Sequence, residues 1–196
     1  PERARGIVVF AHGSGSSRHS PRNRQVAVHL QQRGFATLLA DLLTSAEGRE
    51  DERTGALRFD IGLLADRVSV LVDWSSRHTD LGELPLGLFG ASTGAAAALV
   101  AAANRPERVG AVVSRGGRPD LAGGALRDVR APTLVVVGGA DEVVLGLNQD
   151  AAARLGGVHR LHVVPGATHL FEEPGALQQV AEVAADWFAE HLPAPA

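Results

Sequence analysis

Leu86-Gly87-Leu88-Phe89-Gly90-Ala91-Ser92-Thr93-Gly94, followed at once by Ala95-Ala96-Ala97-Ala98-Leu99-Val100, decides the architecture. An apolar run from about 84 to 90 reads as a buried strand. An alanine-rich run to about Ala103, closed by Pro106, reads as a helix. Between them lies Gly-x-Ser-x-Gly with no room for a loop, so the chain must reverse through a sharp turn with Ser92 at its apex. Glycines on either side let helix and strand approach closely, and the serine hydroxyl is thereby held outward at a strand end. By itself the five-residue pattern is matched by many loops. The strand, turn and helix context makes Ser92 the candidate nucleophile.

Working outward, further short apolar runs bounded by Gly, Pro or Asp predict strands at about 6 to 11, 35 to 42, 109 to 114, 132 to 138 and 159 to 165. Most are continuous in Val, Leu and Ile, as expected of parallel strands covered on both faces. Helical spacing fills the gaps. Ser20 with Pro21 is a helix start, ended by Gly34. From about Asp60 to His78, Ile61, Leu64, Ala65, Val68, Leu71 and Val72 fall on one stripe. From about 174 to 191, Val180, Val183, Ala184 and Trp187 share a face. Alternating strand and helix predicts one α/β domain over 1–196, a three-layer sandwich on a mainly parallel six-stranded sheet. Ligands of such sheets bind beyond the carboxyl ends of the strands. The charged stretch 45 to 58 reads as a solvated surface loop, and the Ala/Pro tail from 193 as frayed.

Composition removes whole classes of chemistry. The 196 residues hold no Cys, and all 19 basic residues are Arg. Thiol nucleophiles, disulfides, thiolate metal sites, Schiff bases and the Walker A lysine are therefore excluded. A net charge of -3 argues against nucleic acid or an anionic membrane as the main partner and points to a small molecule. No cofactor and no metal is expected. Without an export signal or an apolar span of membrane length, the expected location is the cytoplasm.

A serine hydroxyl needs a base, and the base needs an orienting acid. Of eight histidines, His29 lies inside a helix, and His78 and His191 end helices. His159 and His162 point to opposite faces of a strand. His169, in Pro165-Gly166-Ala167-Thr168-His169-Leu170-Phe171, follows the last strand at the required end of the sheet and is the candidate base. Asp141 follows Leu134-Val135-Val136-Val137 and Gly138-Gly139 and is the candidate acid. Glu142, Asp120 and Asp128 are its rivals, although Asp120 also suits the cap of a short helix. Oxyanion donors are expected from the backbone N–H of Thr93 and of Ser14, in the loop His12-Gly13-Ser14-Gly15. His12 itself is expected to brace that loop.

Phe10-Ala-His-Gly-Ser-Gly, Gly90-Ala-Ser-Thr-Gly, Gly138-Gly-Ala-Asp and Gly166-Ala-Thr-His-Leu-Phe-Glu-Glu-Pro-Gly together resemble the α/β-hydrolase superfamily, and within it the dienelactone-hydrolase-like group of small bacterial serine hydrolases. The resemblance spans almost the whole chain. It implies a triad of Ser92, Asp141 and His169 and, by analogy, a strand order 2-1-3-4-5-6. The chain departs from the full fold in two ways: six strands rather than eight point to the absence of the first antiparallel hairpin, and no long insertion follows the fourth strand, where many relatives carry a helical lid, so an open site is expected. The namesake enzymes use a cysteine nucleophile, which this chain lacks, so a dienelactone substrate does not follow.

The expected reaction is cleavage of a small carboxylic ester or lactone through an acyl-enzyme. The alternatives are an acyltransferase or thioesterase with the same triad, and a non-catalytic binding protein. Arg18, Arg22, Arg115 and Arg118 rim the site and are candidates for binding an anionic substrate group; the competing reading is that they pair with loop acids. A homodimer through a sheet edge is compatible with the pattern.

Overall fold

A computed structural model describes residues 4–193, so of the tail expected to fray, 194–196 lie outside the described residues. The strands are β1 (Ile7–Ala11), β2 (Ala36–Leu39), β3 (Leu86–Ala91), β4 (Val109–Arg115), β5 (Thr133–Gly138) and β6 (His159–Val164). They form one six-stranded sheet in the order β2-β1-β3-β4-β5-β6, with every pairing parallel. That is the order the family resemblance implies. β1, β3 and β5 are buried at every position. β6 departs from the expectation of burial on both faces: it has a partner on one side only, and His159, Arg160 and Val163 are exposed.

Among the described residues five α-helices lie between strands, α1 (Pro21–Gln32), α2 (Ser45–Thr54), α3 (Ile61–Arg77), α4 (Thr93–Asn104) and α5 (Glu142–Ala152), and a sixth, α6 (Ala176–His191), follows β6. The Ser20 side chain accepts from the Asn23 N–H and Pro21 opens α1, as its start signal predicts. One core, on the α3 and α4 side, is built of Val, Leu and Ala; the other, on the α1 and α6 side, carries the aromatics Phe10, Phe35, Phe89, Phe171, Trp187 and Phe188. The α3 stripe is buried at Leu64, Ala65, Val68 and Val72. Between β4 and β5 lies only a 3₁₀ segment, Pro119–Asp128, so nothing there roofs the strand ends. Asp120 is not the cap of that segment, whose N-cap is Arg118.

Two segments differ from the sequence reading. The stretch 45 to 58 is not a solvated loop but α2, followed by a 3₁₀ turn, Leu57–Phe59. Thr44 and Glu47 form a reciprocal capping box, and Gly55 ends the helix in the left-handed region at φ 68°. α5 was not anticipated; it begins immediately after Asp141 and packs on β5 and the 3₁₀ segment.

Candidate active site

The turn between β3 and α4 is as tight as its sequence demands. Ser92 has φ 52° and ψ −124°, a left-handed conformation that costs a non-glycine residue about 1–3 kcal/mol. Hydrogen bonds hold it there: the Ser92 N–H donates to the Arg115 carbonyl (3.3 Å), and the Ser92 carbonyl accepts from Ala95 (3.0 Å) and Arg118 (3.1 Å) N–H groups. The glycines are spacers. A Cβ on Gly90 would lie 2.5 Å from the Ala95 Cα, and one on Gly94 2.2 Å from the Ala11 carbonyl oxygen. α4 therefore rests directly on the ends of β1 and β3, with its first N–H groups at Ser92.

On β1's side the loop from His12 comes equally close. A Cβ on Gly13 would lie 2.9 Å from the Ser92 Cβ and 3.6 Å from its Oγ. The ring of His12 is buried and bridges two loops: Nε2 accepts from the Leu42 N–H at 3.0 Å, which leaves Nδ1 to donate to the Gly13 carbonyl at 3.0 Å. His12 thus braces this loop, as expected.

The Asp141 and His169 loops are stitched to each other. The Gly139 N–H donates to the Val164 carbonyl (2.8 Å), and the Ala140 N–H to the Ala167 carbonyl (2.9 Å). A Cβ on Gly138 would meet the Ala167 oxygen at 2.3 Å, so the Gly138-Gly139 pair is what lets them dock. The result is a 2.8 Å hydrogen bond between His169 Nδ1 and Asp141 Oδ2. The His169 loop is fixed at both ends. Glu173 accepts from the Thr168 N–H (3.0 Å) and Oγ1 (2.6 Å), which holds the Glu173 carboxyl below the usual range. Phe171, buried and at φ 56°, anchors the turn in the aromatic core.

Ser92, Asp141 and His169 line one cleft of about 280 Å³, with Thr93, Arg118, Phe59 and Val144. The last two were not singled out from sequence. Phe59 sits in the charged stretch read as a loop, and Val144 on a helix not anticipated. Of the rivals to Asp141, Glu142 is exposed and Asp120 is gripped by Arg118 through two hydrogen bonds of 2.8 and 2.7 Å.

Residues 1–192 match the family model for the dienelactone hydrolase family. The chain belongs to the dienelactone hydrolase family. A dienelactone hydrolase from Anabaena variabilis is 60% identical, with a TM-score of 0.96 over 98% of this chain and 89% of that one. Est1E from Butyrivibrio proteoclasticus, solved with ferulic acid bound, shares the fold at 18% identity and a TM-score of 0.81, over 97% and 90% of the two chains. A Mycobacterium tuberculosis protein provisionally named a phosphoribosyl transferase is 63% identical over 195 residues, which is 100% of this chain but 43% of that protein. The chain thus spans less than half the length of the curated relatives it matches.

In this dienelactone hydrolase family chain the rim arginines are the remaining candidates from sequence. Arg18 pairs with Asp41, and Arg118 with Asp120. Arg22 stands 3.5 Å from Glu172. Arg115 is different: its guanidinium is buried, approaches Asn23 at 3.5 Å, lies 5.9 Å from the Phe171 ring centroid and has no carboxylate partner among the described residues. Burial, reinforced by the neighbouring Arg22 charge, pushes Arg115 down to about 10. Its carbonyl holds Ser92 and its side chain reaches α1 and the His169 loop, so one residue touches three parts of the site.

Proposed function

We propose that this domain hydrolyses a carboxylic ester or lactone through an acyl-enzyme. Ser92 attacks the carbonyl, His169 accepts the serine proton and returns it to the leaving alcohol, and Asp141 holds His169 with its proton on Nδ1 so that Nε2 can act as base. The N–H groups of Thr93 and Ser14 receive the oxyanion, each worth about 3 to 4 kcal/mol in the transition state. The observation that carries this reading is the conjunction of a serine at φ 52° on a strand-to-helix turn with a His–Asp pair at 2.8 Å in the same cleft. Membership of a hydrolase family over residues 1–192 supports it. The transferase name of the Mycobacterium relative describes a protein more than twice as long and is not carried over to this domain.

The test is covalent labelling with a fluorophosphonate, followed by intact mass. One adduct is expected on the native chain and none on Ser92→Ala, with hydrolysis of short acyl esters falling in parallel. A folded chain that takes no adduct at Ser92 would leave a non-catalytic binding protein as the better reading. Labelling accompanied by acyl transfer to an added thiol or alcohol in preference to water would instead make it an acyltransferase.

A further inference from the structure

Two cavities meet at Thr93, and they are chemically unlike. The 280 Å³ cleft carries His169 with the apolar Phe59 and Val144. The larger groove, about 710 Å³, runs from Gly13, Ser14 and Thr93 past the start of α1 to α2, and holds neither His169 nor Asp141. General-acid catalysis places the leaving alcohol next to the protonated base. The alcohol portion of an ester therefore belongs in the smaller cleft. The acyl portion, on the far side of the carbonyl, must enter the groove, whose volume is that of an ordinary small-molecule site.

The groove's walls are rich in polar side chains. Hydroxyls of Ser14, Ser16 and Ser45 lie along it, together with the side chains of Arg49 and Glu52 on α2 and of Arg22 on α1, while Leu43, Leu64 and Pro21 are its apolar members. Two of its carboxylates are already committed, Asp41 to Arg18 and Asp51 to Arg58. An alkyl chain laid here would strip water from these groups without replacing its hydrogen bonds. A hydroxylated group would replace them. The α2 wall is also a fixed surface, because its capping box and the hydrogen bonds from Leu57, Arg58 and the Arg58 guanidinium to Asp51 tie it down.

We infer that the groove between the His12–Ser17 loop and α2 is the acyl subsite, and that it takes a hydrophilic acyl group bearing hydroxyls, such as a sugar-substituted acid, in preference to an alkyl chain. The inference rests on the esterase reading above and adds the substrate class to it.

The experiment compares methyl esters that share a leaving group and an unactivated carbonyl: methyl pentanoate, methyl undecanoate and methyl 5-(glucosyloxy)pentanoate, followed by acid release. The glucosylated acyl ester is expected to exceed the undecanoate by about ten-fold or more in kcat/KM, the worth of one or two hydrogen bonds. Gly48 lines the groove from α2, and a Cβ there meets nothing within 4 Å. Gly48→Trp, with its fold checked by circular dichroism, should lower the ratio of glucosylated to unsubstituted pentanoate rates by about ten-fold. A methyl glucoside carrying an acetyl group on its sugar places the hydrophilic part on the leaving side, and its rate ratio to methyl acetate should not respond to Gly48→Trp. Preference for undecanoate, an unchanged ratio in Gly48→Trp, or a Trp effect confined to the acetylated sugar overturns the acyl-subsite inference while leaving the esterase reading intact. No turnover of any ester, with no labelling of Ser92, overturns both.

Discussion

At the scale of single residues, the contact with the clearest consequence is His169 Nδ1 to Asp141 Oδ2 at 2.8 Å. An aspartate can only accept from Nδ1–H, so Nε2 is left with its lone pair toward the cleft. Asparagine in its place can present an amide N–H instead, which favours the opposite tautomer and removes the base. Asp141→Asn is expected to lower kcat by roughly a thousand- to ten-thousand-fold with little change in thermal stability, read from initial ester hydrolysis rates. Glu142→Gln should leave kcat within a few-fold, because Glu142 points from the first turn of α5 into solvent. Equal losses in the two variants would show that the acid is wrongly assigned. The pattern Gly138-Gly139-Ala140-Asp141 was legible because glycine is needed wherever a backbone oxygen comes as near as that of Ala167 does to Gly138. Phe59 and Val144 were not, since a lone apolar residue in sequence carries no sign of the cavity it will face.

α2 is the element whose sequence hid its role. A helix is ordinarily read from an apolar stripe, and α2 has none: its one buried residue is Asp51. Its start signal was nevertheless present, as Thr44-Ser45-Ala46-Glu47 is a capping box in sequence and in space. What docks the helix is charge. Asp51 Oδ1 accepts from the Leu57 and Arg58 N–H groups at 2.8 Å each, Oδ2 accepts from Arg58 Nε at 2.8 Å, and Glu47 accepts from Arg67 at 2.8 Å. These bonds also set the turn that carries Phe59 into the cleft of Ser92 and His169. Asp51→Ala should therefore speed hydrogen exchange at Leu57 and Arg58 by on the order of ten-fold, while exchange in β3 and α4 stays as before. Burial alone would raise the Asp51 carboxyl, but the hydrogen bonds from Arg58 and Leu57 outweigh it and hold it low. Glu47 is held low by the Thr44 backbone and side chain. Because the unfolded chain then binds these protons more readily than the folded one, the stabilisation is complete above the ordinary carboxylate range. It is lost as pH falls below about 4 through the depressed values. Exchange at Leu57 and Arg58, corrected for its intrinsic pH dependence, should be level from neutrality to mild acid and rise below that point; a rise already at neutral pH would count against a carboxylate tether.

Across the whole molecule, the parts legible in sequence are those built by local pattern, and they all converge on one end of the sheet. Continuous apolar strands, the β3 turn and the alanine run of α4 each announced themselves through local signs other than periodicity: short Val- and Leu-rich runs closed by Gly, Pro or Asp read as strands covered on both faces, and a long alanine run reads as a helix. β6 read the same way but lies at an edge, since nothing in a single strand records how many neighbours it will have. The alanine run has a further meaning at this scale. α4 is buried at nine positions, Thr93 through Leu99 with Ala101 and Ala102, and small side chains are what let so buried a helix lie close on the sheet. The position of Ser92 is thus a consequence of how near two layers can come, and Gly94 is where they are nearest. Two effects of Gly94→Ala oppose each other. Alanine is the better helix former by about 0.8 to 1.0 kcal/mol, which favours the variant. Its Cβ, however, would stand 2.2 Å from the Ala11 oxygen and 2.5 Å from the His12 oxygen, both of them backbone atoms that no rotamer change can move. Separating α4 from β1 to relieve this costs about 1–3 kcal/mol, so the net expectation is destabilisation. The same displacement carries the Thr93 N–H away from the loop of Gly13 and Ser14, and a shift near 1 Å at reacting groups costs about a hundred-fold in rate. Gly94→Ala should therefore lower the denaturation midpoint and, in the fraction that remains folded, reduce kcat/KM by about that factor. Gly124→Ala, where the added Cβ meets nothing within 4 Å, should change neither. If Gly94→Ala proves more stable than the native chain, helix propensity has won, and the closeness of α4 to β1 is not what positions Ser92.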